Sequence, residues 1–229
     1  MTVRTAVLLS GGLDSAVLIA HEMREGRALA VHTVQPIYVS TGLAWEASEL
    51  AMLDRLLAAP PLRDMAAPLV TLSLAMTDVY TTSHWAVTGA PPAYDTPDED
   101  VYLPGRNIVL LGKAGIYCAQ AGIGRLVLGP LAGNPFPDAT PEFFASIGRT
   151  LSLGLARPIE IAAPFTSMHK HDVIRLGQSL GVPFELTLSC MNPTDTRHCG
   201  ACSKCRERHD AFNEAGIADP TDYAIPAPR

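Results

Sequence analysis

The sequence predicts an α/β fold: a mostly parallel sheet flanked by helices, with a small helical region at the C-terminus. Three observations predict it. Short apolar runs alternate with helix-length stretches. A serine- and glycine-rich turn separates the first strand from the first helix. Four cysteines gather near the C-terminal end.

In chain order, Ala6 to Leu9 reads as a buried strand, Ser10-Gly11-Gly12 as a turn, and Ser15 to Glu25 as a helix. Ala28 to Val34 reads as the second strand. Leu43 to Ala59 is helical in pattern and is closed by Pro60-Pro61. Leu69 to Leu74 is a third strand, about Asn107 to Ala121 a helix, and Arg125 to Leu128 a further strand. Gly89 to Asp100 combines prolines with Asp95, Asp98, Glu99 and Asp100, which predicts an exposed acidic loop. Gly133 to Thr140 is a second irregular stretch. Thr140-Pro141-Glu142 predicts a helix start, with a capping hydroxyl, proline at the first helical position and early negative charge.

The 229 residues, 48% of them hydrophobic, suffice for one sizeable core. No apolar run approaches the roughly 20 residues of a membrane-spanning helix. Met1 to Thr5 leads straight into a strand without the pattern of a signal peptide, so a cytoplasmic location is expected. The net charge of −6 argues against a basic nucleic-acid-binding face; the densest basic stretch is Lys204 to Arg208. A small-molecule substrate is expected instead.

Ser10-Gly11-Gly12-Leu13-Asp14-Ser15 stands between strand and helix. Two glycines allow close backbone approach to a phosphate, and the helix N-terminus presents free N–H groups. Asp14 only accepts hydrogen bonds when ionised, so it orients loop donors or holds magnesium. The ending lacks the Gly-Lys-Ser/Thr of a Walker loop.

Cys190, Cys199, Cys202 and Cys205 have the spacing C-x8-C-x2-C-x2-C. Short C-x2-C turns place two sulfurs on one ion, and four thiolates make a closed, structural zinc site. His198 is a rival ligand, and an iron–sulfur cluster is the alternative that spacing leaves open. The fifth cysteine, Cys118, sits in an apolar helical pattern and reads as a buried small side chain.

The string Ser-Gly-Gly-x-Asp-Ser resembles the PP-loop of the N-type ATP pyrophosphatases, in the adenine nucleotide α-hydrolase-like fold. With the cysteine cluster, the chain resembles the QueC family, the 7-cyano-7-deazaguanine synthases, along nearly its whole length. Leu103-Pro104-Gly105-Arg106-Asn107, Lys170 with Val173 to Gly177, Gly181-Val182-Pro183 and Ser189-Cys190 carry the resemblance further.

The resemblance implies an ATP-binding part over residues 1–180 and a zinc-binding region over 181–229. It implies conversion of 7-carboxy-7-deazaguanine and ammonia to a nitrile, through an adenylated carboxylate and an amide, with ATP, Mg2+ and Zn2+. A homodimer is also implied. Ser10 to Ser15 and Asn107 would bind nucleotide, Asn107 alternatively capping the next helix; Asp14, Arg106 and Lys170 would serve catalysis.

Two segments depart from the family. Tyr38 to Glu46 stands where members carry Tyr-Gly-Gln-Arg-His, and Asp138-Ala139-Thr140 stands where they carry Asp-Cys-Arg. Asp138 remains to pair with a purine amino group. Trp45 and Trp85 either stack on a heterocycle or pack in the core. A ligase of altered amide-forming or conjugating specificity is therefore the second hypothesis. A tRNA thiolase and a non-catalytic nucleotide or zinc module are weaker ones.

Overall fold

The computed structural model describes residues 5–28, 34–63 and 66–226. Five parallel strands form one sheet in the order β3-β2-β1-β4-β5. These are β1 (Thr5–Leu8), β2 (Val34–Ser40), β3 (Val70–Ser73), β4 (Arg125–Val127) and β5 (Glu160–Ala162). The helices are α1 (Leu13–Ala28), α2 (Glu46–Leu57), the single-turn α3 (Trp85–Thr88), α4 (Arg106–Ala121), α5 (Pro141–Leu155), α6 (Lys170–Ser179) and α7 (Ser203–Ala215).

Strand side chains alternate between the two faces, and the core divides accordingly. Val7, Tyr38 and Val127 point into a cluster with Val17 and Ile19 of α1, Ile174 of α6 and Phe212 of α7. Ala6, Ile37 and Leu126 point the other way, against Leu111 and Ala114 of α4 and Phe144 of α5. A third cluster joins Trp45, Met52, Tyr80, Val101 and Leu103 to Leu188, Cys190, Cys202 and Cys205. Among the described residues, no helix is long and apolar enough to cross a membrane.

One expectation is corrected. The second strand was placed at 28–34, but Ala28 belongs to α1 and the strand is Val34–Ser40; residues 29–33 lie outside the described residues. Gln35 and Pro36 disguise it. Val34 and Ser40 carbonyls accept from Ala67 and Leu74, whereas Ile37 faces β1 through Leu9, so Pro36 faces the β3 side. On that side pairing is interrupted between the Val34↔Ala66 bridge and Ile37↔Val70, and Pro36, with no N–H to give, falls in the gap. The predicted cap of α5 is present: Phe143 N–H donates to Thr140 Oγ1 at 3.1 Å, with Pro141 in the first turn. Beyond the expected elements, the structure adds the three-residue strand β5.

Candidate functional site

The chain runs β1, β2, β3 to one edge and returns to β4 beside β1. Ligands in such sheets bind at the carboxyl ends of the strands, at that switch point. Two adjoining cavities lie there, of about 690 Å3 and about 300 Å3. The loop after β1 and the Gly129–Pro130 turn after β4 line both.

Between Leu9 and α1 the loop is held open by its own hydroxyls. Ser15 Oγ accepts from Ser10 N–H at 3.2 Å and donates to the Gly12 carbonyl at 3.0 Å; Ser10 Oγ accepts from Gly12 N–H at 3.3 Å. Gly11 has φ +76°, and a β-carbon there would press on Glu49 O and Leu53 Cγ, both at 3.3 Å. A side chain would thus be strained and crowded at once. Leu188 N–H donates to the Gly11 carbonyl at 2.8 Å, tying the loop to the C-terminal region.

Asp14, in the first turn of α1, lies 3.2 Å from Lys170 Nζ at the start of α6. Lys170 also pairs with Glu207 of α7, which holds Lys204 at 2.7 Å. Burial raises the Asp14 carboxyl, with Lys170 opposing. Burial opposes the charge on Lys170, but Asp14 and Glu207 outweigh it and raise its pKa. Burial likewise works against Glu207, but Lys170 and Lys204 prevail and lower it to about 2. Asp14 Oδ1 is buried without a partner among the described residues, so it retains an acceptor for a cation.

Arg106 begins α4 after Gly105, whose φ is +77°. Its Nε is buried without a partner among the described residues, and its side chain lines both cavities. A guanidinium N–H left without a partner beside a cavity is matched to an anion. Asn107 and Asp138 meet in the smaller cavity. Asp138 Oδ2 accepts from Asn107 N–H at 3.0 Å, and the Asp138 carbonyl accepts from Asn107 Nδ2 at 2.9 Å. Asp138 therefore caps α4 across 31 positions of sequence.

Trp45 and Trp85 stack at 5.7 Å, 12° from parallel, in the wall of the larger cavity. The departing segment is organised by Glu46. Its carboxylate accepts from Ser40 Oγ at 2.6 Å, Thr41 N–H at 2.7 Å, Thr41 Oγ1 at 3.1 Å and Gly42 N–H at 3.2 Å. Sequence reasoning missed Glu49, one turn on. It lines both cavities and accepts from Tyr38 Oη at 2.7 Å. Burial raises its carboxyl to about 7, with Arg106 and Tyr38 holding it back.

The four cysteine sulfurs lie within 4.8 Å of one another, close enough for a single tetrahedral ion. Amide groups support the thiolate charge: Asn192 and Cys199 N–H donate to Cys190 Sγ at 3.3 and 3.2 Å, and Ala201 N–H to Cys199 Sγ at 3.3 Å. The donor set fits zinc. His198 is otherwise engaged, its Nε2 accepting from Ser189 N–H at 3.1 Å. Gly200 has φ +81°, and a β-carbon there would fall 1.9 Å from Ile225 O. The basic stretch nearby is spent inside the molecule: Arg206 donates to the Tyr94 and Thr96 carbonyls, and buried Arg208 to Thr187 Oγ1 and Phe184 O.

Comparison with known proteins places this site in context. The family model described as "Queuosine biosynthesis protein QueC" matches residues 4–216. The 7-cyano-7-deazaguanine synthase of Anaeromyxobacter sp. is 36% identical over 97% of each chain. That of Methanothrix thermoacetophila is 34% identical over 96% of this chain and 98% of its own. Among solved structures, the U34-tRNA thiolase NcsA of Methanococcus maripaludis, with its [4Fe-4S] cluster, superposes with a TM-score of 0.52. It is 12% identical, covers 93% of this chain and 68% of its own, and so shares the fold.

Proposed function

The chain belongs to the QueC family of queuosine-biosynthesis proteins, and on that footing we propose an ATP-dependent carbon–nitrogen ligase that turns 7-carboxy-7-deazaguanine and ammonia into 7-cyano-7-deazaguanine. The observation that carries the reading is the junction of the two cavities. There Asp14 and Arg106 each bring a buried polar atom with no partner among the described residues, one an acceptor and one a donor. A magnesium nucleotide meeting a carboxylate supplies both missing partners.

In this reading Ser10, Gly11, Gly12, Leu13 and Ser15 cradle the phosphates with backbone and hydroxyl donors. Asp14 Oδ1 orients magnesium. Arg106 stabilises charge where the carboxylate attacks the α-phosphorus, and Lys170 draws off the pyrophosphate. Attack makes a mixed anhydride, whose AMP group leaves when ammonia adds. Activation of the resulting amide then permits loss of water to the nitrile. The nucleoside occupies the smaller cavity beside Asn107 and Asp138. The planar acid lies in the larger one against Trp45 and Trp85.

Cys190, Cys199, Cys202 and Cys205 hold zinc in a closed site. Residues 181–229 act as a zinc-braced wall on the nucleotide-binding part, residues 1–180. The family reading also carries a cytoplasmic location and a homodimer.

A second reading has one observation behind it. Residues 40–42 close around Glu46 and present no basic pair to the cavity. A ligase stopping at an amide, or joining the acid to another amine, fits that wall. The test is incubation of zinc-loaded protein with ATP, magnesium, ammonia and 7-carboxy-7-deazaguanine, followed by mass spectrometry of purine and nucleotide. Cyano product with AMP supports the first reading. Amide alone, or no purine turnover, rejects it in favour of the second.

A further inference from the structure

Glu49 lies where the two cavities meet, with its backbone packed beside Gly11 of the phosphate loop. Asp14, Glu49 and Arg106 are the charged side chains that line both cavities. Asp14 pairs with Lys170 at 3.2 Å and, in the reading above, faces magnesium. Glu49 is the other junction carboxylate, and no lysine is paired with it among the described residues. It is 7% exposed, on the inner face of α2, and held by the Tyr38 hydroxyl at 2.7 Å. The ionisable groups facing it are Tyr38 from β2, Arg106 from α4, and Glu46 from its own helix.

We propose that Glu49 is the proton acceptor of the nitrile-forming step, an assignment that rests on the nitrile-synthase reading above. In that step an imidate adenylate, carrying C(=NH)–O–AMP, loses AMP. The N–H bond breaks and its proton passes to the Glu49 carboxylate. The electron pair left on nitrogen becomes the third C–N bond. The C–O bond breaks, and AMP leaves with its electrons.

The chemistry singles out this step over amination. Ammonia attacks with a free lone pair, and the protonated nitrogen that results loses its proton readily. The imidate N–H is far less acidic, so its removal demands a positioned base. A carboxyl raised by burial to about 7 is a stronger base than an ordinary carboxylate and still largely ionised just above neutrality.

The test compares wild type, Glu49→Gln and Glu49→Asp as full-length, zinc-loaded proteins. Each receives either 7-carboxy-7-deazaguanine with ammonia or the preformed carboxamide, in both cases with magnesium and ATP. Glutamine keeps an acceptor for Tyr38, and zinc content with circular dichroism reports folding. We expect Glu49→Gln to depress nitrile formation from the carboxamide by about 10²- to 10⁴-fold, and by far more than amide formation from the acid, so that amide accumulates. Aspartate should restore part of the nitrile rate. The wild-type nitrile rate should rise with pH through about 7, a limb missing from the glutamine variant. Nitrile formation within about threefold of wild type, or equal loss of both half-reactions in a folded variant, overturns the assignment. A wild type that makes no nitrile from either substrate overturns the synthase reading itself.

Discussion

Lys170→Met is the most informative single change outside the cavity junction, because its effect on stability has a defined size and pH dependence. Lys170 lies between Asp14 and Glu207, with 16% of its side chain exposed against 28% and 25% for the two carboxylates. A Glu207 carboxyl moved from 4.5 to about 2 carries on the order of 3 kcal/mol of folding free energy at neutral pH. Burial works against that shift. Lys170 is the largest favourable cause and Lys204 the next, so removing Lys170 should cost about 2 kcal/mol. For a chain of this size that lowers Tm by about 4–8 °C.

The sign with pH follows from the same groups. The pKa of Glu207 lies below its unfolded value, so its contribution is complete above about pH 4.5 and is lost as pH falls toward 2. Without Lys170, both Glu207 and the already raised Asp14 move upward. The folded variant then holds protons that folded wild type does not, and its deficit shrinks as pH falls. Urea unfolding of zinc-loaded proteins at pH 8 and pH 4 measures this. A deficit that stays constant across that range, or is below about half a kcal/mol at pH 8, refutes the argument.

Two further outcomes are expected. Gly200→Ala should reduce bound zinc, measured by elemental analysis, because the added β-carbon would displace the strap at Ile225 and strain a backbone at φ +81°; full zinc content with unchanged Tm would contradict this. Glu46→Ala should destabilise by about 3 kcal/mol in urea titrations, since it strips the partner from the buried Thr41 N–H and three other donors; a loss of under about 1 kcal/mol would mean that residues 40–42 hold their shape unaided.

The cysteine knuckle meets the larger cavity directly at Cys190 and also shapes it through the segments around it. Ala93 bridges to Cys202, and Arg206, four residues into α7, ties down the Tyr94 and Thr96 carbonyls. That segment continues into Val101 and Leu103, which line both cavities, and then into Arg106. On the other side of the knuckle, Leu188 N–H holds the Gly11 carbonyl. Ordering of the thiolate cluster and shaping of the cavity wall are therefore one problem. That accounts for a closed, four-sulfur site so near a cavity whose ligands need no thiolate.

How much of this was legible depended on whether local pattern and tertiary role agreed. They agree at Ser10 to Ser15, where glycines and hydroxyls are required by the turn itself, and at the cysteines, whose spacing encodes their meeting. They disagree at β2, where Pro36 imitates a strand breaker but falls in a gap between two stretches paired to the β3 side. They disagree again on α2. Glu46 and Glu49, three apart near a helix start, read as a solvated turn favoured by the helix dipole. Yet Leu53 follows Glu49 by four positions and Glu46 by seven, and Leu56 follows Glu49 by seven. Both carboxylates thus lie on the stripe that Leu53 and Leu56 bury in the core. A carboxylate in phase with a buried leucine stripe must find donors inside the protein. Glu46 finds its own in the loop after β2. Glu49 finds Tyr38 and keeps the cavity junction in reach, a difference that only the folded arrangement of β2, α2 and Arg106 creates.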